Sequence, residues 1–96
     1  MADVLDLEKK LLEKEEKLEE ATKAIGMALK NSSPEEKEFL ANLRKEIDSA
    51  AEAAEPGQNF DKRLEFCYGI IFAGDKIQNQ MLIKAARHYI DIYEGN

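Results

Sequence analysis

Apolar residues in the first third of the chain recur in alternating steps of three and four. Val4, Leu7, Leu11, Leu18, Ala21, Ile25 and Ala28 keep that rhythm, and only Lys14 interrupts it. The spacing lays one apolar seam along a helix, so a helix over residues 4–30 is predicted. Glu13 with Lys17 and Glu19 with Lys23 stand one turn apart, adding ion pairs of about 0.3 kcal/mol each. Asp3 is the expected N-cap and Asn31 the expected left-handed stop. Gly26 costs such a helix about 1 kcal/mol relative to alanine, which points to a close helix crossing or to fraying.

The stretch NSSPEEKEF carries the sharpest local signal. Ser33 can cap, Pro34 suits the first helical position, and Glu36 completes a capping box back to Ser33. A second helix then runs to about Ala54, with Leu40, Leu43, Ile47, Ala50 and Ala54 along one stripe and Phe39 beside it. Pro56 and Gly57 end it in a turn, and Asn59 can cap the next helix. Because the link is short, the first two helices are expected to fold back as an antiparallel hairpin. The leucine-rich start of the first would then face the alanines that end the second.

Behind residue 59 the pattern predicts a helix over 60–72, a break at Ala73-Gly74-Asp75, and a helix over 76–93 capped by Asp75. One continuous helix through Gly69 and Gly74 is the alternative. Lys84, Arg87, Asp91 and Glu94 occupy one narrow arc of the last helix, and most of the remainder is apolar. That apolar arc is about twice the roughly 100° that a helix on the surface of a bundle buries. Either these helices are sandwiched by the front hairpin or part of the arc meets another chain. The second is the expectation, with Phe66, Tyr68, Phe72, Met81, Tyr89 and Tyr93 as the partner-binding residues.

The reading is thus an all-α small helical bundle forming a single domain. It comprises a charged helical hairpin, 1–55, and an aromatic helix pair, 59–96.

Charge sharpens this division. The chain has 96 residues and a net charge of −6. Residues 1–58 hold 15 acidic and 9 basic side chains, whereas residues 59–96 hold 5 of each. With no basic stripe, nucleic acid is not an expected partner. The start turns charged at once and no apolar run approaches the roughly 20 residues of a membrane helix. A cytoplasmic protein is expected, and the single Cys67 fits a reducing compartment.

Chemistry is sparse. Cys67 lies in the least polar stretch, where a thiolate is disfavoured, and reads as a buried small apolar residue. His88 is the one histidine and has no ligand spacing around it, so no metal or cofactor is expected. Glu13, Glu15, Glu16, Glu19 and Glu20 are interleaved with lysines and read as a solvated helix face.

LRKEID, residues 43–48, is similar to the start of the helical chorismate mutases. The adjoining SAAEAAEPG lacks the further acidic and basic positions of that family's active-site helices. The length and helical content also resemble the small secreted proteins with a Trp-x-Gly turn, but this chain has no Trp. No function is carried over from either.

The leading expectation is therefore a non-enzymatic protein-binding module, docking another protein or a second copy of itself. One alternative is a small helical enzyme using Arg44, Lys45, Arg63 or Arg87 on an anionic metabolite. The other is an acidic regulator competing for a nucleic-acid site on another protein.

Overall fold

Ser33 and Glu36 cap each other as their spacing predicts. The Glu36 amide donates to Ser33 Oγ at 3.1 Å, and the Ser33 amide donates to Glu36 Oε1 at 2.9 Å. They open the second of four α-helices in the computed structural model, which describes residues 2–57 and 60–95. The helices are α1 (Ala2–Leu29), α2 (Pro34–Ala53), α3 (Lys62–Ile71) and α4 (Gln80–Glu94). No strand occurs among the described residues, and the fold is an all-α small bundle. Asn59 and the side chain of Asp3, both expected as caps, lie outside the described residues.

Local chemistry explains the boundaries. α1 closes with three successive turn hydrogen bonds, from the amides of Lys30, Asn31 and Ser32 to the carbonyls three residues back. Such tightening satisfies carbonyls that a helix end otherwise leaves unpaired. Asp61 caps α3 by accepting from the Leu64 amide at 3.1 Å. Asp75 does not cap the last helix, contrary to expectation; Gly74–Lys76 form a short 3₁₀ turn, with Gly74 at φ 61°. Ile77 is buried in an extended conformation, so the chain must run on before a helix can start. Asn79 then caps α4, its Oδ1 accepting from the Leu82 amide at 3.2 Å. Residues 60–93 therefore form two helices, not one.

The packing differs from the expected hairpin. α1 packs along α4, α4 also packs on α3, and α3 packs on α2, while α1 and α2 share no packed face of that kind. The short turn reverses the chain, but the widest apolar arc decides the pairing. That arc belongs to α4, and covering it takes α1 on one side and α3 on the other. Ile25 and Ala28 of α1, Cys67 and Ile70 of α3, and Leu82, Ala86 and Tyr89 of α4 form the core. At the α2–α3 crossing a Cβ on Gly69 would stand 2.5 Å from Leu43 Cδ2, so any larger residue there would make Leu43 shift.

Polar bonds pin one end of the bundle. Asn79 Nδ2 donates to the Ala28 carbonyl at 2.8 Å and to Ser32 Oγ at 3.0 Å. Glu36 Oε2 accepts from the amides of Gln78 and Asn79 at 2.8 and 3.0 Å. One glutamate thus closes the start of α2 and holds the entry to α4. The Ser33 and Gln78 amides, in that order, hold the Glu36 carboxyl below its ordinary 4.5. A carboxylate with a lowered folded-state pKa contributes stability above its unfolded value and loses it as pH falls through the folded one. Urea titrations between about pH 5 and about pH 3 should therefore show a shallower acid loss for Glu36→Gln than for the wild type.

At the other end the molecule is drawn out. Its extents are 53 × 31 × 18 Å and its radius of gyration is 15.2 Å, against about 12.5 Å for a compact domain of this length. α1 is the cause. It runs antiparallel to α4, with Ala28 beside Asn79 and Lys14 beside Tyr93. Because α4 stops at Glu94, about ten residues of α1, some 15 Å, project past it.

Candidate interaction surfaces

The projecting part of α1 continues the seam that packs on α4 but is largely open, with Leu7 and Leu11 only edging a shallow hollow beside His88, Asp91 and Ile92 of α4. Ala21, Ile25 and Ala28 are buried, whereas Val4 is 61% exposed and Leu7 and Leu11 are 60% exposed. Leu5 and Leu12, on the other side of the helix, are exposed as well. Lys14, the one polar residue of the seam, marks the changeover. Its ammonium lies 5.5 Å from the centre of the Tyr93 ring, at the end of α4, where a cation on an aromatic face is favourable. The break in the seam is therefore the point at which the helix leaves the bundle.

The six residues expected to bind a partner do not form one surface. Tyr89 is 2% exposed and belongs to the core of this chain, so a partner cannot reach it. Burial, then the nearby Asp61, raises its phenol to about 12. Phe66, Tyr68 and Tyr93 are half-buried, and Phe66 and Tyr93 pack against the core. Phe72, at the end of α3, is 80% exposed, and Met81, in the first turn of α4, is exposed too. The Tyr68 and Phe72 rings stack with centres 6.1 Å apart, so Phe72 is held in place while facing solvent. The wide arc of α4 that suggested an interface is covered from within, mostly by α1.

Among the candidates for chemistry, Cys67 is fully buried, and burial pushes its thiol up to about 12. It and the exposed His88 line different hollows, so no nucleophile–base pair forms between them. Glu15, Glu16, Glu19 and Glu20 of α1 line a shallow hollow with Phe60 and Tyr93, which Arg63 crosses to Glu19 at 3.0 Å, while Glu13 lines another beside His88.

Of the four cations weighed for an anionic metabolite, Arg44 and Arg63 line one hollow, Arg44 and Lys45 line an adjoining one, and Arg87 lines neither. The two hollows share Leu29, Arg44, Asp48 and Phe66 and together make an open groove between α1 and α2, with Phe66 and Cys67 of α3 beneath it. The groove exists because α1 and α2 do not close on each other. Nothing in the pattern of either helix signals it, since it results from the pairing of α1 with α4.

Among the described residues, no helix is long and apolar enough to cross a membrane. No protein-family model matches this chain, and no curated protein or solved structure does either.

Proposed function

We propose that this chain is a non-enzymatic helical interaction module that docks a partner protein through apolar surface its own fold leaves open. The observation that carries the reading is the projecting end of α1, where Val4, Leu7 and Leu11 continue a core seam into solvent. Five aliphatic side chains on about ten projecting residues are costly to leave in water, at about 25 cal/mol for each Å² that a partner would cover. The exposed Phe72 and Met81 are two further apolar side chains left open to a partner. The remaining bundle serves as the rigid base, with α4 clamped between α1 and α3. The inert, unpaired Cys67 supports a setting in the reducing cytoplasm.

A side chain kept for a partner contributes little to the fold of the free protein. The variants Leu7→Glu with Leu11→Glu, and Phe72→Glu alone, should keep wild-type helicity and melt within a few degrees of it, as surface changes of about 0.5 kcal/mol do. Circular dichroism melts read this directly. A loss of folding as large as that of a core substitution would overturn the reading.

A further inference from the structure

The groove between α1 and α2 differs in character from the projecting seam. Its floor and lower walls are apolar, with Ile25 and Leu29 from α1, Leu40 and Ile47 from α2, and Phe66 from α3. Its rim is basic, in a chain whose net charge is −6. Lys30, Lys37, Arg44 and Lys45 line it, joined by Lys62 and Arg63 at one end. Lys62 is engaged by Asp48 at 3.2 Å and Arg63 by Glu19 at 3.0 Å. Neither of those ion pairs involves the other four cations; Arg44 lies over the Phe66 ring at 5.9 Å. Among the described residues, the one carboxylate lining the groove, Asp48, is the one already paired.

The walls are also low. A Cβ added to Gly26 of α1 would meet nothing within 4 Å, and α2 carries the small, exposed Ala41 in the adjoining hollow. Glycine leaves backbone open to close approach, so its helix-weakening presence at position 26 gains a use that no crossing inside the chain supplies.

We propose that this groove docks an acidic amphipathic helix of a partner protein. Its apolar stripe would lie on the half-buried Phe66 and Leu29, with its carboxylates set against Lys30, Lys37, Arg44 and Lys45. The inference rests on the interaction-module reading and names the partner's chemistry. Lys37 to Asp48 on α2 spans eleven residues, or about 16 Å, which matches three turns of a docked helix. The cations are spread along that length and do not converge on one point, and the groove is open along its side. A metabolite site would instead be a closed concavity with a few convergent polar groups.

The probe is a synthetic peptide of about 14 residues, with leucines at i, i+3, i+4 and i+7 and glutamates elsewhere, titrated into the ¹⁵N-labelled chain. The expected result is amide shift changes centred on Gly26, Ala41 and Phe66, weakening as salt is added. Lys37→Glu with Arg44→Glu should weaken binding about tenfold or more. Gly26→Leu, whose Cβ meets nothing within 4 Å in the free chain, should block the groove without lowering the melting temperature. A lysine version of the peptide should leave the groove amides unmoved.

Absence of groove shifts, equal response to both peptides, or indifference to the two variants would each overturn the proposal. So would phosphate or citrate shifting the same amides while the peptide does not, which would assign the groove to a small anion. The Leu7 and Leu11 variants test the projecting seam separately, so failure here is distinguishable from failure of the module reading.

Discussion

Replacing Asn79 with alanine is expected to lower the stability of this protein by about 2–4 kcal/mol, a large share of the roughly 5–10 kcal/mol typical of so small a domain. Two losses combine. The Leu82 amide loses its cap, worth about 1 kcal/mol. The buried Ser32 hydroxyl loses the donor that reaches it from α4, and the Ala28 carbonyl loses one of two donors, keeping the Asn31 amide; a buried polar group left short of a partner costs about 1–3 kcal/mol. Asn79→Asp separates the two, because it keeps an acceptor for Leu82 and removes both donors. It should fall between the wild type and Asn79→Ala in urea titrations. Equal stability of Asn79→Ala and wild type would mean that Asn79 does not join the turn end of α1 to the start of α4.

Leu82→Ala should cost about 3 kcal/mol or more and lower the melting temperature by about 12–24 °C. Leu82 is fully buried on α4, which packs against both α1 and α3. Neither neighbour can close on the cavity without leaving the other, so the site relaxes poorly. Leu82→Met, which conserves volume, should stay within about 1.5 kcal/mol of the wild type. A mild Leu82→Ala would show that α4 is not the centre of the core.

The features legible in the sequence are local ones. Ser33, Pro34 and Glu36 specify their own helix start within four residues, and no distant contact can undo a capping box that satisfies itself. The second role of Glu36, gripping the amides of Gln78 and Asn79, depends on tertiary placement and leaves no trace in the pattern. The start of the last helix is misleading in the sequence because Asp75 resembles a cap, whereas the burial of Ile77 delays the helix to Gln80. The pairing of helices is hidden for a related reason. A short link makes α1 and α2 neighbours in sequence, but the double-width arc of α4 takes α1 for itself.

The same competition relocates the open surface. Tyr89 has the look of a surface anchor and is core, while the seam of the charged first helix runs out of partner at Lys14. Periodicity marks which residues share a face, and it does not say where along a helix the cover stops. That point is fixed by the length of α4, 15 residues against the 28 of α1.

Photo-crosslinking in the living host, from a benzoylphenylalanine placed at position 11, reads directly whether the open seam of α1 meets a partner. The expected result is one discrete adduct, of a partner or of a second copy, that disappears when Leu7 is changed to Glu and does not form from the exposed position 52. No adduct from position 11 beyond the background at position 52 would contradict it.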